Sequence, residues 1–493
     1  MKIRYNNIIK MLFVAAVLTL SACKDDFFET SPSGDLTGSE TYASTKNIDA
    51  LFNGTLRYMM ETSTSQDNPG LSAITLTHEV MGDDAIARDG VYGFRDSYPY
   101  RDPFDNTTRR ALFFWSFQYK VIDNCNNILA NVGAASGTDA ERQYLKGQAL
   151  ALRGFVYLNL VRQYQFTYAK DKNAKAVPIY TEPTSPSSVP KARATVEQVY
   201  SQIISDLTQA ETLLNGFVRK VKNRPDANVV KGLLARTYLT QENWTLAAAK
   251  AREARTGYNI MEATQYTQGF NDVSNVEWIW GHPQQADQNL GGASYFAYID
   301  VTPAAGYRSI MPDPYFRQLF ADGDIRKTLF ETVTVSTDPM YRWIKYKKFV
   351  NKADQSGHIV LMRSSEMALI EAESKARLND LTGAIAALNE VRVKRNLPVA
   401  VAANFNQTTL IEEILTERRR ELWGEGFRLY DLLRLQRAPV RRESTETVRI
   451  GAADVPIKGH YVLKLPDNSN LVPNSIYYLF PIPVNEINTN PNL

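Results

Sequence analysis

Along most of this chain, apolar residues recur at the three- and four-residue steps of an amphipathic helix. In Tyr144–Tyr164, the residues Leu145, Ala149, Leu152, Val156 and Leu160 form one apolar stripe, which predicts a helix packed on other helices. The same period marks 47–62, 109–132, 195–214, 227–241, 245–256, 364–378, 381–395 and 408–436. Between these lie stretches punctuated by Pro and Gly, 63–108, 166–192, 257–362 and 437–493, in which strands should be few and short.

Two helical stretches look alike. VKGLLARTYLTQENWTLAAAKAREA (230–254) and MALIEAESKARLNDLTGAIAALNEV (367–391) each read as a helix, a short polar turn and a second Ala-rich helix. Ala247 and Ala248 in one, and Gly383 and Ala384 in the other, stand where a helix hairpin needs close approach. The pattern resembles the tetratricopeptide helix pair, dispersed by insertions rather than repeated in tandem. The expected fold is therefore mainly α, a helix-hairpin scaffold carrying an irregular, loop-rich lobe in which function resides.

The amino-terminal pattern is of another kind. Met11–Leu20 carries no charge and follows Lys2, Arg4 and Lys10, the layout of an export signal. Ten residues rise only ~15 Å as a helix, too little to span a bilayer. Leu20-Ser21-Ala22-Cys23 resembles the bacterial lipobox, so residues 1–22 are expected to be removed and Cys23 acylated. Residues 23–45 then form a Ser-, Thr- and acid-rich tether. Two or three acyl chains suffice for stable anchoring, and no second long apolar run offers another membrane attachment. Lys24-Asp25-Asp26 resembles the export triplet of Bacteroidetes surface lipoproteins.

Charge and cysteine content narrow the partners. The chain has 56 Lys+Arg and 53 Asp+Glu, and the three basic residues of the signal account for the whole excess. A formally neutral mature surface without basic tracts argues against nucleic acid. Cys125 has no intramolecular partner if Cys23 is acylated, so no disulfide framework is expected. The 26 Tyr and 21 Phe are a heavy aromatic load.

Catalytic signatures are absent from the sequence. His78-Glu79 and Asp83-Asp84 in HEVMGDD lack the second histidine of a zinc helix and read as a loop turning polar. There is no Gly-x-Ser-x-Gly, phosphate loop or paired Cys-x-x-Cys. No metal and no cofactor are expected, and the chain is not expected to be an enzyme. A glycoside hydrolase stays open as an alternative, because the separation of a carboxylate pair is spatial.

Near the carboxyl end, Glu413, Glu417, Glu421 and Glu425 follow at steps of four, which would stack like charges on one helical stripe. Arg418, Arg420 and Arg428 flank them, with Arg420 expected to pair with Glu417, Arg418 with Glu421 and Arg428 with Glu425. A buried or half-buried ion-pair network is the reading of these charges. TERRRELWGEGFRLYDLLRL (416–435) also resembles the carboxyl-terminal motif of the SusD/RagB family. So do Arg363 to Glu373, Leu388-Asn389-Glu390-Val391-Arg392, 149–166, 177–183, 195–207 and 477–493, in the family's order. Trp423-Gly424 and Tyr430 depart from the usual motif.

The resemblance implies a surface lipoprotein of the outer membrane that binds oligosaccharide and delivers it to a SusC-like TonB-dependent transporter. It divides the chain into a signal (1–22), the acylated tether (23–45), an N-terminal SusD-like helical region (46–256) and a C-terminal SusD/RagB region with ligand-lobe insertions (257–493). A peptide-binding RagB-type receptor and a pure interaction scaffold are alternatives. Sugar rings stack their C–H faces on aromatics while their hydroxyls seek polar rims. Two insertions meet that need. One carries Tyr92, Phe94, Tyr98, Tyr100 and Phe104 among Arg95, Asp96, Arg101 and Asp102. The other carries Tyr295, Phe296, Tyr298 and Tyr307 among Gln284, Gln285, Gln288, Asn289 and Arg308. The ligand candidates are Tyr92, Phe94, Tyr98, Tyr100, Arg101, Gln288, Asn289, Tyr295, Tyr298 and Tyr307, and as loop residues Tyr98, Tyr295 and Tyr298 are expected to tolerate truncation without loss of stability.

Overall fold

The computed structural model describes residues 38–62, 65–284, 293–302, 306–335 and 338–493. Cys23, Gln288 and Asn289 lie outside them. Helices carry the fold: α1 (Thr45–Tyr58), α2 (Leu71–Val80), α3 (Arg109–Asn131), α4 (Asp139–Tyr164), α5 (Val196–Leu213), α6 (Ala227–Thr240), α7 (Trp244–Ala254), α8 (Ser364–Arg377), α9 (Leu381–Lys394), α10 (Gln407–Leu422) and α11 (Arg428–Arg434). Each predicted helix is present within a few residues of its expected bounds, except that 408–436 is divided in two. Helix α2 falls in a stretch read as irregular.

Successive helices pack in sequence order, α3 on α4, α4 on α5, α5 on α6, α6 on α7, α7 on α8, and α8 on both α9 and α10. This is the mainly α, tetratricopeptide-like scaffold expected. The two look-alike hairpins turn by one device. Glu242 (φ 59°) and Asn379 (φ 64°) take the left-handed conformation. The next residue then caps the second helix, Asn243 accepting from Leu246 N at 3.3 Å and Asp380 from Gly383 N at 2.9 Å. Ala247, Ala251, Ala254 and Ala384 are fully buried, which lets the helices approach closely.

Strands are short and few among the described residues: β1 (Ala85–Ala87), β2 (Trp278–His282), β3 (Ile310–Pro312), β4 (Phe330–Val335), β5 (Asp338–Tyr346), β6 (Ile359–Arg363), β7 (Thr447–Ile450) and β8 (Ala453–Pro456). They form four antiparallel pairs, β1–β3, β2–β6, β4–β5 and β7–β8. The main core cluster runs from Ile48 to Phe480 and is continuous across residues 256 and 257.

The charges of 413–428 are buried or half-buried, and two of the three pairs expected from spacing give way to other partners. Trp423 ends α10, Gly424 (φ 84°) and Gly426 (φ 78°) turn the chain, and Glu425 leaves the helical stripe. Only Gly fits at 426, where a Cβ would lie 2.9 Å from the Thr75 backbone. Glu421 receives three fully buried guanidinium groups, from Arg326 (2.8 Å), Arg363 (2.6 Å) and Arg395 (2.7 Å). Arg420 does pair with Glu417, at 3.0 Å. Arg428 pairs with Asp83 (2.6 Å) rather than Glu425, and Arg418 with Asp431 (2.7 Å) rather than Glu421. HEVMGDD is thus no solvated loop. His78 and Glu79 sit on α2, and Asp83 and Asp84 are buried acceptors for the carboxyl-terminal arginines, Asp84 taking Arg419 at 2.5 Å.

Candidate functional site

Two insertions far apart in sequence meet beside the start of α3. In the first, Phe94 (φ 52°) and Tyr100 (φ 62°) adopt left-handed backbone conformations that L side chains seldom take. Gly93 (φ 92°) lies so close to the second insertion that a Cβ would come within 2.4 Å of the Tyr298 ring. The second insertion presents a short helix, Tyr295–Ile299, capped by Ser294. Its Tyr298 lies edge-on to Phe94 at 5.0 Å and stacks on Tyr307 at 5.3 Å, and Tyr307 leans on Tyr92 at 4.9 Å. Four aromatics from the two insertions therefore form one cluster, in which Tyr92 and Tyr307 are half-buried and Phe94 and Tyr298 are buried.

This cluster backs an open cavity of about 710 Å³. Tyr92, Gly93, Phe94, Arg95, Asp96, Arg101 and Phe104 of the first insertion line it, with Ser65, Asp67, Asn68, Thr107, Thr108, Arg109, Arg110 and Pro466. Arg110 is the buried hub. It lies 4.8 Å above the Phe94 ring and donates to Asn68 Oδ1 (3.0 Å), Asp67 Oδ2 (3.1 Å) and Asp102 Oδ2 (3.2 Å). Burial works to raise the Asp67 carboxyl, but Arg110, Ser65, Arg109 and Tyr92 outweigh it and hold it below the usual range. Asp102, more deeply buried, is pushed up by burial despite Arg110 and Ser97. Tyr298 donates to Gln66 O at 2.7 Å, Tyr92 to Asp67 Oδ1 at 3.2 Å, and Tyr307 to the Gln66 side chain. Burial first, then Asp67 and Tyr92, raises the Tyr298 hydroxyl, so the wall stays uncharged.

The mouth is open and charged. Arg95 and Arg101 are largely exposed and reach Asp96 only at 3.9 and 3.5 Å, which leaves their guanidinium forks available to a ligand. Aromatic faces at the back with forked donors and carboxylates at the rim suit a polyhydroxylated ring better than an apolar or strongly ionic molecule.

Of the candidates, Tyr92, Phe94 and Arg101 line this cavity, and Tyr307 and Tyr298 brace its aromatic wall. Tyr98, Tyr100 and Tyr295 do not reach it. All three are buried with their hydroxyls engaged inside the protein: Tyr98 with His460 Nδ1 (2.8 Å), Tyr100 with Met81 O (2.8 Å) and Tyr295 with Gly424 O (2.9 Å). Arg441 sits over the Tyr98 and Tyr100 rings at 4.4 and 4.6 Å. These three pack the lobe, and the expectation that Tyr98, Tyr295 and the equally buried Tyr298 tolerate truncation is corrected. The sequence reading missed Asp67, Asn68 and Arg110. Their only sequence signal is the turn chemistry of Asp67-Asn68-Pro69-Gly70, because what joins them to the site is the fold.

A helix-hairpin scaffold that holds an open aromatic and polar cavity on inserted loops defines a ligand-binding protein class. Comparison with known proteins sharpens this. The profile described as the SusD family matches residues 331–493, and one described as starch-binding, associating with the outer membrane, matches residues 26–239. A SusD-like carbohydrate binding protein from Bacteroides vulgatus ATCC 8482 is 38% identical, with a TM-score of 0.86 over 92% of this chain and 97% of that one. A SusD superfamily protein from Bacteroides thetaiotaomicron VPI-5482, at 22% identity, shares the fold with a TM-score of 0.76 over 91% of this chain and 98% of that one. SusD-like protein P38 of Formosa agariphila is 35% identical over 102 residues, 19% of this chain and 20% of that protein's length. The chain belongs to the SusD family.

Proposed function

We propose that this protein is a surface lipoprotein that captures an oligosaccharide in the cavity beside Tyr92 and Tyr307 and passes it to a TonB-dependent transporter of the outer membrane. The observation that carries the reading is the cavity itself, an aromatic wall facing the exposed guanidinium groups of Arg95 and Arg101. The carbohydrate-binding relative and the starch-binding profile support the ligand class. Among the described residues no helix is long and apolar enough to cross a membrane, which suits attachment through an acylated Cys23.

The same cavity favours binding over hydrolysis. Its two least exposed carboxylates, Asp67 and Asp102, are both committed to Arg110, so neither is placed to protonate a leaving group. They orient the arginine instead. Calorimetry with the preferred oligosaccharide tests the reading. Tyr307→Ala and Arg101→Ala should each weaken binding about tenfold, the effect of losing ~1 to 2 kcal/mol. Unchanged affinity in both variants, or shortening of the oligosaccharide on long incubation, would overturn it.

A further inference from the structure

A second cavity, of about 450 Å³, lies against the middle of α3. Trp115 and Tyr119 form one side, Pro178 and Tyr180 the opposite wall, and Glu486 of the carboxyl-terminal helix Val484–Thr489 closes it. The walls are locked together. Trp115 and Tyr119 rings lie 4.7 Å apart, Tyr180 stands edge-on to Tyr119 at 5.9 Å, and the Tyr119 hydroxyl donates to Pro178 O at 2.9 Å. Asn126 Nδ2 holds the same wall through Tyr180 O (3.1 Å) and Glu182 O (3.0 Å).

Inside this rigid frame several polar groups have no partner among the described residues. Trp115 is 3% exposed, and its indole N–H has no acceptor among the described residues. The half-buried Glu486 carboxylate has neither cation nor hydrogen-bond donor, and exposed Lys120 has no carboxylate. A donor, an acceptor and a cation thus converge on aromatic edges, as they do in the first cavity.

The two cavities also share a track. Arg109, Leu112, Ser116 and Lys120 recur at three- and four-residue steps on the exposed face of α3. Arg109 lines the first cavity, while Ser116 and Lys120 line the second. From Arg109 to Lys120 is about 16 Å along the helix axis, at 1.5 Å per residue.

We propose that the second cavity is a distal subsite for the same oligosaccharide, occupied by the far end of a chain whose near end sits beside Tyr92 and Tyr307. The inference rests on the glycan-binding reading above and adds to it a preference for chain length. The ligand class is a neutral oligosaccharide long enough to follow α3 from Arg109 past Lys120. Glu486 and Lys120 take hydroxyls at the distal end, and Trp115 donates to a ring or hydroxyl oxygen.

The test is calorimetry of the full mature chain with trisaccharides and heptasaccharides of the malto-, laminari-, xylo- and manno-series. Two variants address the second cavity alone. Ser116→Trp fills its mouth from an exposed helix position, and Lys120→Ala/Glu486→Ala removes its free charges without touching the core, so both should melt as the parent does. In its preferred series, the parent is expected to bind the heptasaccharide at least about tenfold more tightly than the trisaccharide. Both variants should bring the heptasaccharide down to the trisaccharide's affinity and leave the trisaccharide unchanged, whereas Tyr307→Ala weakens both. Equal affinity for the two lengths in the parent, or parental heptasaccharide binding in both variants, would overturn the distal subsite and leave the first cavity standing. A parent that binds no member of any series would take down both readings.

Discussion

Removing Glu425 tests whether the carboxyl-terminal charges act as a structural network. Its carboxylate accepts from Arg363 Nε (2.9 Å) and Nη2 (2.8 Å) and from Lys348 Nζ (2.7 Å). In Glu425→Ala, Arg363 keeps Glu277 (2.7 Å) and Glu421 (2.6 Å). Lys348 is fully buried and keeps the carbonyls of Glu421 (2.7 Å) and Trp423 (2.9 Å) and the Phe270 and Phe349 rings, but no carboxylate within ion-pair distance. An uncompensated buried cation of this kind costs ~3 to 5 kcal/mol, against under ~1 kcal/mol for an exposed pair. The pH dependence has a definite sign. Burial depresses the Lys348 ammonium from 10.5 to about 8, with Glu425 opposing the shift, so loss of Glu425 depresses it further. A base whose folded pKa lies below its unfolded value loses stability as pH falls from the unfolded value to the folded one. In the parent that window closes near pH 8; in the variant it extends lower, so the deficit must be larger at pH 6 than at pH 9. Urea unfolding followed by far-ultraviolet circular dichroism at both pH values measures it. A loss under ~1 kcal/mol that is the same at both would refute the reasoning.

Three further outcomes are expected. Tyr98→Ala and Tyr295→Ala should each lower stability by ~3 to 5 kcal/mol, since each removes a buried aromatic with an internal hydrogen bond, and a thermal scan unchanged from the parent would contradict their placement in the core. Burial, with Asp84 and Asp83 nearby, raises the Asp313 carboxyl to about 7, so its contribution to stability is present below its unfolded value of 3.8 and is lost as pH rises through 7. Asp313→Asn should therefore gain melting temperature over the parent between pH 5 and pH 8, and a constant difference would rule this out. Cys23→Ala should abolish acylation, and replacing Lys24, Asp25 and Asp26 with alanine should keep acylation but reduce protease accessibility on whole cells; a lipidated Cys23 variant, or unchanged accessibility in the triplet variant, would remove the respective assignment.

How much was legible in the sequence depended on whether the signal was local. The long helices were, because apolar residues recur at helical steps along them and most begin at a capping residue, as Thr138 does for α4. Helix α2 was not. Nearly every residue from Leu71 to Val80 is buried, so the segment has no polar face and no amphipathic period to read. Glu425 was placed on a stripe by spacing of four, but the positive φ of Gly424 and Gly426 breaks the helix between Glu421 and Glu425. The partners of Asp83 and Asp84 lie more than 330 residues away, beyond any spacing argument. At the site, aromatic density pointed to the first insertion, part of which lines the cavity. Composition could not distinguish Tyr92, which faces the cavity, from Tyr98 six residues on, whose ring is enclosed by Arg441, His460 and Tyr461.

The central claim, that the Tyr92 and Tyr307 cavity holds a glycan, is tested most directly by a crystal structure of the mature chain at saturating concentration of an oligosaccharide that calorimetry shows to bind. The account predicts sugar density in that cavity, with a pyranose face on Tyr92 or Tyr307 and hydroxyls within hydrogen-bond distance of Arg95 or Arg101. Density elsewhere on the surface, with this cavity holding only solvent, would contradict it.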